Sequence, residues 1–208
     1  MACRPTSRPP ATRALSATES AAPSRQSRLS LKAIAALVCT ALLVYGADQL
    51  SKAWVVSTLT ERASVPVLGD LLHFTFVRNP GAAFSLASGS TWIFSIAAAV
   101  VTVVIVVFAR RIRALSWALV FGMLLGGVLG NLTDRLFREP SFGMGHVIDF
   151  IEVWGFPAIF NIADIFIVSS MGLFVILTLR GIRLDGTREV AESKPGNDID
   201  AAAEGERD

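Results

Sequence analysis

The chain has 208 residues and a formal charge of +2, with 52% of its residues apolar and only 17% charged. Its mean hydropathy of +0.55 lies above that of an ordinary soluble domain, in which about a quarter of residues are charged. This balance excludes a typical soluble enzyme and places the chain in the membrane class, with no nucleic-acid partner expected. The two cysteines, Cys3 and Cys39, have neither metal-ligand spacing nor a disulfide framework.

Residues 1–30 are rich in Arg, Ser, Pro, Thr and Ala without apolar periodicity, and read as a disordered tail. The first apolar span follows over 31–56. A cleaved signal peptide competes for this stretch, but the basic segment before it is oversized and Tyr45-Gly46-Ala47 is a poor small-x-small cleavage site. In the loop 57–91, Val65-Pro66-Val67-Leu68 and Leu72-His73-Phe74-Thr75-Phe76-Val77 have strand composition around a Gly69-Asp70 turn, which predicts a small sheet on the membrane surface. The second span, 92–109, carries no charge and is close to the ~20 residues that cross a hydrocarbon core. A basic hairpin, Arg110-Arg111-Ile112-Arg113, leads to the third span over 114–133. The fourth covers 160–179 with Asp164 its only charge, and a polar tail, 184–208, reads as disordered. The expected fold is therefore an all-α membrane protein: four transmembrane helices over 31–183 with a small extracytoplasmic β-containing loop.

Basic residues flank the spans before the first, between the second and third, and after the fourth. With four spans all three regions fall on one side, so both termini are expected in the cytoplasm and the loops 57–91 and 135–159 outside.

Charged groups within spans are costly and usually face the bundle. Asp48 and Lys52 are spaced i,i+4, close enough for an ion pair on one face. In the third span Asn131 and Asp134 share a face, with Arg135 adjacent, and Gly122, Gly126 and Gly130 form a row suited to close helix packing. Asp149 lies in His146-Val147-Ile148-Asp149-Phe150-Ile151-Glu152, an apolar stretch expected to run along or re-enter the membrane interface, where poor solvation raises a carboxyl pKa. His146 reads as structural and Glu152 as solvated. Asp164 has Asn161 three residues before it on the same face, and Pro80-Gly81 fits the centre of a type II turn beside Asn79.

Two carboxylates in a low-dielectric pocket share a proton, so that one acts as base and the other as acid towards a peptide bond. Neither histidine belongs to a nucleophile motif, no ligand spacing supports zinc, and no cofactor is expected. Residue types alone leave a second possibility open, a small four-span ion or proton-coupled transporter using intramembrane acids.

Taken together, the motifs Asp48-Gln49-Leu50-Ser51-Lys52, Asn79-Pro80-Gly81-Ala82-Ala83-Phe84, Gly130-Asn131 with Asp134-Arg135, Val147-Ile148-Asp149-Phe150 and Phe160-Asn161-Ile162-Ala163-Asp164 resemble the lipoprotein signal peptidase (signal peptidase II) family over residues 33–180. The resemblance implies a bacterial plasma-membrane aspartyl endopeptidase that cleaves prolipoproteins before a diacylglyceryl-modified cysteine. It implies contact with membrane lipid, sensitivity to globomycin-type inhibitors and an active site near the outer face. By motif match, Asp149 and Asp164 correspond to the catalytic pair. Asp48, Lys52, Asn79, Gly81, Phe84, Asn131, Asp134, Arg135 and Asn161 correspond to residues that support the site or contact substrate. Asp134 is a rival for the pair; Asp149 is preferred because its neighbours are apolar, whereas Asp134 has Arg135 beside it in sequence to hold it ionised.

Overall fold

The computed structural model describes residues 30–81 and 91–188. The expectations for Phe84 and for the tails at 1–29 and 189–208 fall outside these residues. Helix α1, Leu31–Thr58, begins where the Ser30 hydroxyl accepts the Ala33 N–H at 3.3 Å. Strands β1, Ser64–Leu68, and β2, Leu72–Asn79, come next, followed by α2, Thr91–Phe108, and a 3-10 turn at Ala109–Arg111. Helix α3, Leu115–Phe137, strand β3, Val147–Val153, and α4, Ile162–Leu179, complete the described chain. Among the described residues four helices are long and apolar enough to cross a membrane.

Helix α3 packs against the other three helices and is the most enclosed of them. Its glycines explain the close approach. A Cβ on Gly122 would come 2.7 Å from the Leu37 carbonyl oxygen, and one on Gly126 would come 2.6 Å from that of Ala41, both on α1. On another side, a Cβ on Gly127 would come 2.7 Å from the Ala163 carbonyl oxygen of α4. Lipid tails are as apolar as leucine, so helices in a bilayer gain by backbone proximity and dispersion contact rather than by hiding apolar area. Accordingly α2 and α4 leave Val103, Val107, Val168 and Leu179 exposed, where lipid would cover them.

The three strands form one antiparallel sheet in the order β1-β2-β3. Residues 147–153 are therefore its third strand and not an isolated apolar segment. Their apolar run reflects enclosure on both faces: Val147, Ile148, Asp149, Phe150 and Ile151 are all buried. Val55 of α1 joins Phe76, Ile148, Phe150 and Ile151 in one apolar cluster. Edge-on contacts link Trp54 to Phe74 and Phe74 to Phe150, with centroids 5.9 and 5.7 Å apart. The sheet is thus bolted to the end of α1 that carries Asp48 and Lys52.

At the other end of the bundle the chain leaving α4 folds back over the α2–α3 turn. The Leu184 carbonyl accepts the N–H groups of Arg113 and Ala114 at 2.9 and 3.0 Å, and Ile182 bridges to Arg188. The folded body runs on to Arg188, past the boundary at 183 expected from composition.

Candidate active site

Strand pairing delivers the first carboxylate. Val77 lies opposite Asp149 and Asn79 opposite Val147, so Asn79 reaches Asp149 diagonally across the sheet. Asn79 Nδ2 donates to Asp149 Oδ2 at 2.7 Å. The amide is held in that orientation because its Oδ1 accepts the Gly81 N–H at 2.8 Å. Gly81 has φ +97°, as the third position of a type II turn requires, and a Cβ there would strike the Phe94 ring at 2.7 Å.

The second carboxylate arrives on α4. Beyond β3 the chain turns back so that Phe160 pairs with Ile151, the Ile151 N–H donating to the Phe160 carbonyl at 2.8 Å. This places Asn161 beside Asp149 and makes it the N-cap of α4. Asn161 Oδ1 accepts the Asp164 N–H at 3.0 Å, and Asp164 Oδ2 accepts the Asn161 N–H at 3.2 Å, a capping box. The same Asn161 side chain donates from Nδ2 to Asp149 Oδ1 at 2.6 Å. One residue therefore bonds both carboxylates. Asn131 of α3 completes the frame: its Nδ2 donates to Asp164 Oδ1 at 2.8 Å, and its Oδ1 accepts from Asn161 Nδ2 at 3.1 Å.

A charged cluster underlies this amide frame. Lys52 is wholly buried and its Nζ lies 2.8 Å from both Asp48 Oδ2 and Asp134 Oδ2, while donating to Asn131 Oδ1 at 2.9 Å. Asp48 Oδ1 accepts the Ala163 N–H at 3.0 Å, which ties α1 to the start of α4. Asp134 also pairs with Arg138 and accepts the Ile148 N–H at 3.3 Å. The direct ion-pair partners of Asp134 among the described residues are thus Lys52 and Arg138, and neighbouring Arg135 acts on it through its charge without a direct bond. Successive helix residues point about 100° apart, and positions four apart share a face. The Arg135 guanidinium lies over the Phe94 ring, 5.2 Å from its centroid. Its Nη1 is buried with no hydrogen-bond partner among the described residues, and it lies 3.2 Å from where a Gly81 Cβ would stand.

Burial pushes the Asp149 carboxyl up from 3.8 to about 7. The hydrogen bonds from Asn79 and Asn161 oppose that rise and the Asp164 charge adds to it, but desolvation dominates. Among the described residues, no group of three or more His, Cys, Asp or Glu side chains is arranged to hold a metal ion. His146 is half-buried and its backbone N–H donates to the Glu139 carbonyl at 2.9 Å; Glu152 accepts from the Thr75 hydroxyl.

Two contributors escaped the sequence reading. Arg138 sits four residues after Asp134, the spacing that exposed the Asp48–Lys52 pair, so the same rule would have found it. Gln49 donates from Nε2 to Asp48 Oδ2 at 3.1 Å and to the Gly130 carbonyl at 3.0 Å, fastening α1 to α3. Nothing in its local pattern signals this, because the acceptor is a main-chain group 81 residues away.

A family model described as signal peptidase (SPase) II matches residues 40–180. A lipoprotein signal peptidase of Leifsonia xyli is 55% identical over 188 residues, covering 88% of this chain and 87% of that protein. One of Streptomyces coelicolor is 47% identical over 154 residues, covering 74% and 75%. Among solved structures, a bacterial membrane enzyme at 2.3 Å superposes with a TM-score of 0.64 at 29% identity, covering 76% of this chain and 95% of that one. None of these relatives supports a transporter. A model match across most of the chain, with relatives of this similarity, places it by descent as well as by geometry: the chain belongs to the signal peptidase II family.

Proposed function

We propose that Asp149 and Asp164 are the catalytic pair of this lipoprotein signal peptidase, which removes the signal peptide from prolipoproteins. The observation that carries the assignment is the double role of Asn161, whose side chain and main chain bond one carboxylate each. Asp149, raised to about 7, holds a proton in a large share of molecules near neutral pH and acts as the acid. Asp164 takes a proton from water as the water attacks the scissile carbonyl, and Asp149 gives its own to the departing amine. Asp134 is set aside as a member of the pair because Lys52 and Arg138 already engage it.

The finer substrate reading follows from the position of the pair. Asp149 lies on the sheet and Asp164 in the first turn of α4, so the carboxylates sit at the junction of membrane helices and surface sheet. A substrate anchored by a diacylglyceryl group on its cysteine would keep its acyl chains in lipid and present the bond before that cysteine at this level. Arg135, with its unmatched donor beside the Asn79–Gly81 turn, is suited to take a substrate carbonyl, and the same contacts suit a globomycin-type cyclic peptide. The flanking basic residues favour an orientation with both termini cytoplasmic and the carboxylates near the outer face of the plasma membrane.

The test is cleavage of a lipidated precursor by Asp149→Asn and Asp164→Asn in proteoliposomes. Each is expected to lose at least about a thousandfold in rate; normal turnover by either variant overturns the pairing.

A further inference from the structure

At the end of the bundle away from the carboxylates, a cavity of about 760 Å³ opens between the α2–α3 turn, the start of α3 and the end of α4. From Leu115, at this end of α3, to Asp134 is nineteen residues, roughly 28 Å of helix. The cavity therefore lies at the opposite membrane face from the proteolytic site.

The cavity has two contrasting parts. Its floor is aromatic: Trp117 and Phe121 of α3 meet Phe174 of α4, with ring centroids 5.2 and 6.3 Å from Phe174. The Trp117 indole N–H is already used by the Ile182 carbonyl at 3.0 Å, and the Thr178 hydroxyl by the Phe174 carbonyl at 2.8 Å. The floor therefore has no free indole or hydroxyl donor to hold a polar ligand. Its rim is cationic, formed by Arg110, Arg111 and Arg113 on one side and Arg183 on the other. Among the described residues one acid joins the lining, Asp185, which accepts from the Thr187 N–H and hydroxyl at 2.9 and 2.7 Å and is attracted by the Arg183 charge. Trp117 and Phe121 are a turn apart along α3, so the apolar slot extends from the arginine level into the hydrocarbon layer.

We propose that this cavity is a binding site for one anionic phospholipid, with the phosphate on the arginine rim and the first acyl carbons against Phe121 and Phe174. Guanidinium groups take a phosphate by paired N–H bonds, and basic pockets between membrane helices select acidic head groups over zwitterionic ones. A free anion would satisfy the rim but leave the aromatic slot exposed. A neutral lipid would fill the slot but bring no anion to the arginines of the α2–α3 turn, Arg110, Arg111 and Arg113. The site stands independently of the catalytic assignment, since it shares no residue with it.

The test uses the full-length protein in mild detergent, with retained lipid counted by native mass spectrometry against added phosphatidylglycerol or phosphatidylcholine. One phosphatidylglycerol is expected to remain bound and phosphatidylcholine to be lost. Replacing Arg110 and Arg113 together by Gln should weaken retention roughly thirtyfold, while the corresponding Lys pair keeps most of it. Thr178→Trp, which fills the slot and leaves every rim charge, should also abolish retention. Undiminished retention in Thr178→Trp would reduce the effect to general surface attraction and overturn the proposal. Equal retention of phosphatidylcholine, or displacement of the lipid by millimolar inorganic phosphate, would overturn it as well. Should the Gln pair fail to fold, the Thr178→Trp and phosphate measurements still decide.

Discussion

Two sets of carboxylates adjoin one another in this protein, all buried but the half-buried Asp164, and they are held by opposite means. Asp48 and Asp134 receive a buried ammonium between them, and Asp134 a guanidinium besides. Among the described residues Asp149 and Asp164 receive hydrogen bonds from neutral donors, the amides of Asn79, Asn131 and Asn161 and the Asn161 main chain, with the Arg135 charge nearby but not directly bonded. An ion pair fixes protonation, because neutralising either member strands the other in a medium that solvates it poorly. An amide donor orients a carboxyl group without adding a full charge, and leaves it able to gain or lose a proton. The first set therefore suits holding helices in register, and the second suits proton transfer.

The largest effect that would break this contrast lies in the amide-held set. The Asn variants of Asp149 and Asp164 should abolish cleavage while leaving the thermal unfolding midpoint near that of the parent, since shape and hydrogen-bonding capacity are largely kept. A fall in the midpoint matching the loss of activity would mean that this pair, too, is structural. Next in size is Lys52→Met, which leaves Asp48 and Asp134 buried without their shared counterion and should cost about 3–5 kcal/mol. Adding Asp48→Asn and Asp134→Asn should recover much of the stability, measured by unfolding in detergent.

The pH dependence sharpens the comparison further. With Asp149 as the acid at about 7, kcat/KM should fall about tenfold per unit above that pH. The native state also holds this proton more tightly than the unfolded chain, which releases it near 3.8. The stability that this tighter hold contributes is complete below 3.8 and is lost as pH rises through about 7, a dependence that Asp149→Asn should lack. The smallest effect is Asn79→Ala. It removes a hydrogen bond that favours the charged form of Asp149, so the upper limb should move to higher pH, with kcat/KM down on the order of tenfold.

Much of this was legible in the chain because membrane helices announce themselves: a charge-free run such as Thr91–Phe108 has few alternatives. The Asp48–Lys52 pair and the glycine row were legible for the same reason, since helical spacing converts directly into a shared face. Strand β3 was not. Its partner β2 lies about seventy residues earlier, and burial on both faces erases the alternation that marks a strand, so Val147–Val153 looks like any apolar run. Arg135 supports Asp134 through its charge and not through a direct bond, because successive residues along a helix point to different faces. Asn161 was visible as a neighbour of Asp164, but its bond to Asp149 depends on the turn that pairs Phe160 with Ile151, which no local pattern encodes.

That turn gives the start of α4 an unusual significance. Helix ends normally fray at little consequence, since a lost terminal hydrogen bond is replaced by water. Here the cap that begins the helix is also the bracket between the two carboxylates proposed to react, so unwinding a single turn would release Asp164 and loosen Asp149 at once. Helix initiation and assembly of the reaction centre are a single equilibrium. Whatever steadies the first turn of α4, a seated substrate included, raises the fraction of molecules poised to cut.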